Sequence, residues 1–464
     1  MTVYKATAGQ SAPAGASAKP LDSDDVGDAL GVDDTVIDGG TDGETATPGG
    51  AHATPTAIAA MRARRTRSSI RVTPRLSLMD RVYLDHAATT PIDPEVADAM
   101  TRVLRETHGN PSSIYAEGRA ARAAVDRARD EVAAAINADP GEIVFTSGGT
   151  EADNLALRGA QKARRDERDG LVTTAIEHHA VIDTARDLER FAHVRLDIVG
   201  VDRLGIVDPE AIRDAIDERT SLVSVMHANN EIGTIEPIAE IGAICRDEGV
   251  TFHSDAVQTV GALEVDVRKI PVDLLSINAH KFYGPKGVGA LYVRRGTRIA
   301  TMQTGGGQEK GRRTGTENVA GIVGLGVAMC IARELRATES PRQAGLRDRL
   351  IAGVRARVPD AVLNGHPTQR LPNNASFCIP GTDGESLIVA LDLEGFAVSS
   401  GSACTSGETE PSQVLLALGL DRELAKGSLR VTVGRSTTEE RVDRFVDALS
   451  RVIARLRDSA AVAV

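Results

Sequence analysis

From Arg81 onward, short apolar segments alternate with alanine-rich segments. Five apolar segments are continuous and bounded by turn residues, as expected of buried strands: residues 142–146, 171–176, 221–226, 250–254 and 273–277. Residues 118–137 and 236–249 show apolar positions with helical spacing. Continuously apolar strands that alternate with helices predict an α/β fold with a mainly parallel central sheet, covered on both faces.

The pattern changes after about residue 340. Three short segments then precede a long amphipathic pattern that begins near Thr438: residues 374–379, 385–395 and 428–433. We therefore expect a large α/β domain at 81–340 and a smaller α+β domain at 341–464. Residues 81–92 are candidates to pack against the smaller domain.

Composition separates the first 80 residues from the rest. Residues 1–60 contain almost no large apolar residues, so they cannot bury enough surface to offset the entropy of ordering. Residues 61–78 are basic and acid-free. They could form a nucleic-acid patch or a transit-like element. We favour a linker or an untranslated segment, because Met79 directly precedes the structured pattern. We thus expect residues 1–80 to be a disordered or untranslated extension.

Charge and cysteine content restrict the partners and the compartment. The 464-residue chain carries a net charge of −11, which argues against direct binding of nucleic acid. No apolar run approaches the length of a membrane span, so we expect no membrane partner. The four cysteines lie far apart without CxxC spacing, which argues against a disulfide framework or a metal site. A reducing cytoplasm is the simplest setting.

Ligands bind at the carboxyl ends of the strands in an open α/β sheet, so the residues after each strand are candidates for a site. Residues 147–154 follow the first strand, and Gly149 and Thr150 open a helix there. Backbone amides at a helix N-terminus suit a phosphate, although many strand–helix turns look similar. Thr150 and Asp153 also have the spacing of a capping box.

Three further strand ends carry polar side chains. His178 follows the second strand, where it is either structural or able to stack on a flat ring. Asn229 and Asn230 follow the third strand, and turn chemistry alone explains an asparagine there. Asp255 ends the fourth strand. A buried carboxylate needs a cation or a hydrogen-bond donor, so Asp255 belongs either to a structural ion pair or to a ligand site.

Lysines are scarce in this chain, and only Lys281 and Lys286 follow a buried strand. Lys281 is the nearer to the strand end. Partial desolvation there would lower the pKa of the amine and free it for Schiff-base formation. A phosphate cradle, a ring-stacking histidine, a buried aspartate and a Schiff-base lysine together fit pyridoxal phosphate, with the aspartate holding the pyridine nitrogen protonated.

Cys404 lies within a run of very small residues, 399–407. Glycine and serine cover little surface, so we expect an exposed thiol at a loop tip. An exposed free thiol points to a chemical role, and the alternative is a flexible linker with an incidental cysteine.

Residues from about 82 to 458 resemble a group I cysteine desulfurase, of the iron–sulfur and nitrogen-fixation type within the class-V aminotransferases. The matching motifs occur in the family's order: YLDHAATTP (83–91), GNPSS (109–113), FTSGGTEADN (145–154), EHHAVID (177–183), HANNEIG (227–233), HSDAVQTVG (253–261), AHKFYGPKGVGALYVRRG (279–296), GGGQEKGRRTGTEN (305–318), SSGSACTSG (399–407) and SLRVTVGR (428–435). The first 80 residues have no counterpart in the family core.

The resemblance implies a fold-type I PLP-dependent transferase that forms a homodimer. It implies that Lys281 binds the cofactor as a Schiff base, that His178 stacks on its ring, and that Asp255 pairs with its pyridine nitrogen. Further residues that match cofactor positions of the family are Gly149, Thr150, Asn230, Gln258, His280 and, from the partner subunit, Thr316. The family commonly has serine where this chain has Asn278, whose amide can also donate to a phosphate but with a different reach.

The resemblance also implies the substrate-side roles. Arg430 matches the arginine that binds the substrate carboxylate, a task suited to a guanidinium, and Asn110 and Asn230 match further residues near the substrate. Cys404 matches the persulfide-forming cysteine, and His178 is a candidate to assist its ionisation. The thiolate would attack the substrate sulfur.

The function implied is conversion of L-cysteine to L-alanine, with sulfur passed as a persulfide to an acceptor protein. That acceptor would be an iron–sulfur scaffold or a sulfur carrier for tRNA or cofactor thiolation. The alternatives within PLP chemistry are a selenocysteine lyase, another lyase or an aminotransferase. The non-enzymatic alternative is a catalytically silent scaffold of the same fold.

Overall fold

The computed structural model describes residues 81–164, 167–401 and 410–462, which all belong to one compact unit, Pro74–Val464. The strands in this part of the chain are β1 (Val82–Tyr83), β2 (Ile143–Thr146), β3 (Gly170–Thr174), β4 (Arg195–Val199), β5 (Thr220–Ser224), β6 (Thr251–Asp255), β7 (Leu274–Asn278), β8 (Gly289–Val293), β9 (Val362–Leu363), β10 (Asn374–Cys378), β11 (Phe396–Ala397) and β12 (Ser428–Thr432). The α-helices are α1 (Pro94–Glu106), α2 (Ala116–Ala135), α3 (Gly149–Arg164), α4 (His179–Ala192), α5 (Pro209–Ala215), α6 (Ile238–Asp247), α7 (Val319–Arg357), α8 (Gly384–Leu393), α9 (Gln413–Ala417), α10 (Arg422–Lys426) and α11 (Glu439–Val462).

The central sheet has the strand order β2-β8-β7-β6-β5-β3-β4. Its strands run in one direction except β8, which pairs antiparallel with both β2 and β7. The five predicted apolar segments correspond to β2, β3, β5, β6 and β7. The prediction of an α/β fold with a mainly parallel sheet is therefore confirmed. Strands β4 and β8 were not predicted, because β4 is a half-buried edge strand and β8 follows a glycine-rich turn.

Both faces of this sheet are buried. Successive residues of β5 enter two different hydrophobic clusters, with Leu222 in one and Val223 in the other, as the twofold alternation of a strand requires. Val132 of α2 and Leu325 of α7 cover the face that carries Val223, whereas Leu155 of α3 covers the opposite face. The burial of both faces explains why the strands are continuously apolar.

The C-terminal part of the chain forms a second, antiparallel sheet in the order β12-β10-β9. Leu350 of α7, Phe377 of β10 and Phe445 of α11 share its core, and β1 pairs in parallel with the nearby β11. Helix α7 runs without interruption from one core to the other and contains Pro341. The expected boundary at residue 340 lies inside this helix, so the division into 81–340 and 341–464 stays a prediction.

Two predicted features lie outside the described residues: the extension at residues 1–80 and the loop that carries Cys404. Among the helices that the structure does describe, none combines the length and the apolar character needed to cross a membrane.

Candidate active site

A cavity of about 290 Å³ lies at the carboxyl ends of the parallel strands. Many of the predicted site residues line it: Gly149, Thr150, His178, Asn230, Asp255, Gln258, Asn278, His280, Lys281 and Arg430. The remaining lining residues are Ala87, Ala88, Asp153, Met226, Val257 and Gly401. Residues from distant parts of the sequence thus meet at one edge of the sheet, as the topology of an open α/β fold predicts.

One end of the cavity is a backbone cradle at the N-terminus of α3. Gly148 has a φ of 154°, and a Cβ atom placed on Gly149 would lie 2.8 Å from Val257 Cγ2. Only glycine therefore brings the chain this close to Val257. The amide of Asn278 faces the same backbone, with Nδ2 3.2 Å from that hypothetical Cβ. The start of a 16-residue helix and a nearby side-chain amide together form a site suited to an anion.

A buried carboxylate and a neutral imidazole lie deeper in the cavity. Asp255 ends β6 and is 6% exposed, and its Oδ1 accepts a hydrogen bond from Val257 N at 2.8 Å. Burial raises the pKa of Asp255, against the opposing effects of that hydrogen bond and of Lys281. His178 Nδ1 accepts a hydrogen bond from Ala180 N at 3.0 Å and so caps α4. Burial and the charge of Lys281 lower the pKa of His178 to about 4, so the ring is neutral at pH 7.

Lys281 ends a short 3₁₀ helix, Ala279–Lys281, that directly follows β7. Its Nζ donates hydrogen bonds to the backbone carbonyls of Ala87 and Ala88, at 2.6 and 2.8 Å. These two carbonyls belong to the segment 83–91, so this early segment of the chain orients the lysine. The positive charge of Lys281 also favours the ionised form of Asp255, which places one cation and one anion in the same cavity.

Arg430 enters the cavity from the C-terminal sheet. It lies in the middle of β12 and is 3% exposed. Its Nη2 pairs with Asp85 Oδ1 at 2.9 Å, and its Nη1 donates to the carbonyl of Asn230 at 3.0 Å. Among the described residues, no acceptor binds the buried Nε–H. Asp85 and Asn230 therefore hold the two terminal nitrogens of the guanidinium, and the Nε–H is left as a donor that a carboxylate can accept from.

Comparison with known proteins identifies the family. The sequence model of the class-V aminotransferases matches residues 82–445. The chain belongs to the class-V aminotransferase family. A curated member, the cysteine desulfurase IscS of Clostridium botulinum, is 48% identical over 380 residues, which cover 82% of this chain and 96% of that protein.

Solved structures in this family have the same fold. A NifS-like protein matches with a TM-score of 0.76 and 37% identity, covering 81% of this chain and all of the other. The structure of SspA in complex with cysteine matches with a TM-score of 0.66 and 32% identity, covering 76% of this chain and 98% of the other. Within the class-V family the chain groups with the cysteine desulfurases, so the resemblance seen in the motifs is confirmed.

Three predicted site residues do not line the cavity of the described chain. Asn110 is exposed, and its Oδ1 accepts a hydrogen bond from Ser112 N at 2.9 Å. Thr316 is also exposed, just before α7, and its expected role is in the partner subunit's site. Cys404 lies outside the described residues. The roles of all three residues stay predictions.

Two carboxyl groups were not predicted as site residues: Asp153, which lines the cavity, and Asp85, which pairs with the lining residue Arg430. Asp85 was missed because its role depends on Arg430, which lies far away in the sequence and pairs with it only through the fold. Asp153 was interpreted as part of a capping box. That interpretation is wrong, because Thr150 lies inside α3 rather than before it, and Asp153 is 1% exposed in the interior. The sequence did contain a signal for Asp153, because an acidic residue on the buried side of a helix that begins at a ligand site is a candidate for that site.

Proposed function

We propose that this chain converts L-cysteine to L-alanine and carries the released sulfur as a persulfide on Cys404. An acceptor protein, such as an iron–sulfur scaffold or a sulfur carrier, would then take the sulfur. The observation that carries the proposal is that Lys281, Asp255, His178 and Arg430 all line one cavity. The structural neighbour SspA is in complex with cysteine, which agrees with the proposed substrate.

The residues of the cavity fit pyridoxal phosphate. The cradle at Gly149, where a Cβ atom would collide, leaves room for a phosphate beside backbone amides. Asn278 Nδ2 lies 3.2 Å from the position of that Cβ atom, so this amide can donate a hydrogen bond to a group bound in the cradle. Asp255 is a buried carboxylate suited to a protonated pyridine nitrogen, and Lys281 is the amine suited to covalent attachment.

The side chains of the cavity account for substrate binding, proton transfer and stacking on the cofactor ring. When bound, pyridoxal phosphate supplies an electron sink for the electrons released at the substrate Cα. Arg430 binds the substrate carboxylate, using the donor capacity that Asp85 and Asn230 leave. Lys281 Nζ is the basic atom placed to take the Cα proton and return it to the product. His178 carries its proton on Nε2, because Nδ1 already accepts from Ala180, so it suits ring stacking and hydrogen-bond donation better than removal of a thiol proton.

The sulfur transfer itself falls to Cys404. Its thiolate forms a bond with the substrate sulfur while the substrate Cβ–S bond breaks. The electron pair of that bond stays with Cβ, which takes up a proton, so a persulfide remains on the protein and alanine is the product. Gly401 lines the cavity, and three residues can span about 11 Å between Cα atoms, so the length of chain from Gly401 to Cys404 allows the thiol to reach the substrate. A free thiol is only a few per cent ionised at pH 7, and the positive charges of Lys281 and Arg430 favour its thiolate.

Mass spectrometry of the purified protein after addition of L-cysteine tests this proposal. We expect one added sulfur on the peptide that contains Cys404, together with release of alanine. Cys404→Ser should lose both the added sulfur and the release of alanine, and it should still bind the cofactor. Cys330→Ser is the matched control, because Cys330 lies half-buried in α7 outside the cavity, and it should retain both. Alanine release by Cys404→Ser at the wild-type rate would refute the persulfide role. A strict preference for selenocysteine as substrate would indicate a selenocysteine lyase instead of a cysteine desulfurase, and a requirement for an amino acceptor would indicate an aminotransferase.

We further propose a homodimer in which Thr316 completes the partner subunit's site. The exposure of Thr316 outside its own cavity supports this arrangement. A mixed dimer of Lys281→Ala and Thr316→Ala subunits should then contain one intact site and recover activity that neither parent shows. Absence of recovery in an isolated mixed dimer would place Thr316 in its own subunit's site or outside both.

For the compartment we propose the reducing cytoplasm. Cys245, Cys330 and Cys378 are free thiols, and burial raises the pKa of Cys245 to about 12 and that of Cys378 to about 11. Buried, inert thiols of this kind are typical of proteins that fold where disulfides do not form.

A further inference from the structure

Asp153 is a second carboxyl group at the base of the cavity. It lies on the buried side of α3, is 1% exposed, and lines the cavity. One carboxylate oxygen of Asp153, one of Asp255 and one ring nitrogen of His178 all lie within 4.8 Å of one another. Asp153 Oδ1 has no hydrogen-bond partner among the described residues, and its nearest ring nitrogen, His253 Nε2, is 3.6 Å away. Asp153 and Asp255 thus lie close together, although the function proposed above places only one basic nitrogen, the pyridine nitrogen of the cofactor, beside them.

The environment of Asp153 favours its uncharged form. The imidazole beside Asp153 is that of His253, which is fully buried, and burial lowers its pKa to about 3, so it brings no positive charge at pH 7. Burial and the charge of Asp255 raise the pKa of Asp153 well above its ordinary value, and Ser276 opposes this effect. Lys281 and Arg430 are both cations that line the cavity, and the charge of Lys281 acts on Asp255 and His178. A proton on Asp153 removes the repulsion that two carboxylates would otherwise feel.

A chain of buried polar side chains lies behind Asp153. Ser276 Oγ is 3.0 Å from His253 Nε2, and Ser224 Oγ is 2.8 Å from His253 Nδ1. Ser224, His253 and Ser276 are all 0% exposed. Both nitrogens of the neutral imidazole therefore contact hydroxyl groups, so the single N–H of the ring has a serine oxygen as its acceptor in either tautomer. The chain fixes the hydrogen-bonding pattern around the carboxyl group without adding charge.

We propose that Asp153 is a positioning residue for the cofactor: backed by Ser276, His253 and Ser224, it is held as a neutral carboxylic acid and keeps Asp255 as the single negative charge at the base of the cavity. This proposal rests on the proposed function. A neutral Asp153 can donate a hydrogen bond toward Asp255 and so favour the carboxylate of Asp255. That carboxylate is the form that pairs with a protonated pyridine nitrogen. An ionised Asp153 would instead drive Asp255 to take up the proton.

The first test compares Asp153→Asn with Asp153→Ala in pyridoxal phosphate binding and in the pH titration of the visible absorbance of the bound cofactor. The amide is always neutral and still donates, so Asp153→Asn should keep the dissociation constant within about threefold and the titration midpoint unchanged. Asp153→Ala removes the donor. It should weaken binding about tenfold and shift the midpoint upward, because the ring nitrogen loses its positive charge. A large change in Asp153→Asn, or none in Asp153→Ala, would overturn the proposal.

The second test reads the protonation state directly and does not depend on bound cofactor. Infrared difference spectra of wild type against Asp153→Asn, at pH 7, should show the C=O stretch of a protonated carboxylic acid that the variant lacks. Absence of this band from the difference spectrum would show Asp153 to be ionised and would refute the proposal. This measurement stays decisive if Asp153→Ala fails to fold.

Glu236→Gln is the matched control for both tests. Glu236 is buried outside the cavity, and burial raises its pKa to about 8, so it should contribute a protonated-acid band of its own but leave cofactor binding unchanged. The two proposals fail in different ways. A wild-type protein that does not bind pyridoxal phosphate refutes the proposed function, whereas normal binding by wild type and Asp153→Ala alike refutes only the role of Asp153.

Discussion

The two sides of the cavity are built in different ways. The parallel-sheet side carries His178, Asp255 and Lys281, each at or just after the end of a parallel strand. The C-terminal side carries Arg430, which lies in the middle of the antiparallel strand β12. Strand ends of a parallel sheet meet at one edge because of topology alone. The position of Arg430 depends instead on how the second sheet packs and on the partner that holds its guanidinium.

The charges follow the same division. On the parallel-sheet side, Lys281 favours the charged form of Asp255, and two backbone carbonyls accept hydrogen bonds from the lysine amine. On the C-terminal side, Arg430 is stabilised by Asp85, a residue that precedes the central sheet in the sequence. We therefore expect changes on the first side to abolish the chemistry and changes on the second side to weaken substrate binding.

The largest effect is expected for Lys281→Ala, because it removes both covalent attachment of the cofactor and the proposed proton carrier. Alanine formation should fall by about 10²–10⁴-fold. Mass spectrometry after borohydride reduction should show a covalently bound cofactor in wild type and none in the variant. Lys286→Ala is the control, since Lys286 is exposed and only five residues away. Full activity in Lys281→Ala would show that the parallel-sheet side does not carry the chemistry.

A smaller effect, confined to substrate binding, is expected for Asp85→Asn. The amide still accepts a hydrogen bond but no longer balances the charge of Arg430, so the guanidinium is held less firmly. KM for L-cysteine should rise about tenfold, while kcat stays within about threefold. Asp93→Asn is a matched control, because it alters a 2.8 Å pair with Arg435 outside this cavity. A fall in kcat with unchanged KM would contradict the proposed division between the two sides.

This division also explains how much the sequence alone could predict. Apolar runs located five strands of the central sheet, and the rule that ligands bind at strand ends then located Gly149, His178, Asp255 and Lys281. Asp85 could not be found in this way, because its partner is 345 residues distant and local patterns contain no information on their contact. Edge strand β4 was missed for a related reason, since only one of its sides is paired and its burial is partial.

The smallest effect on activity, and a clear one on stability, is expected for Glu236→Gln on the parallel-sheet side, away from the cavity. Glu236 Oε2 accepts a hydrogen bond from Val207 N at 2.9 Å, which a glutamine oxygen can also accept. Burial raises the pKa of Glu236 from 4.5 to about 8, so the folded protein binds this proton more tightly than the unfolded chain does. Its contribution to stability is therefore fully present below pH 4.5 and is lost as the pH rises toward 8.

Urea unfolding of wild type and Glu236→Gln at several pH values measures this contribution, because groups common to both proteins largely cancel in the difference. Glutamine has no proton to lose. Between pH 4.5 and 8, the free energy of unfolding of the variant should therefore rise relative to that of wild type by at most about 1.4 kcal/mol per pH unit, with alanine formation unchanged. A difference that is constant with pH would mean that Glu236 is already ionised in the folded protein. A loss of alanine formation would mean that Glu236, although buried away from the cavity, affects the reaction as well as the stability of the fold.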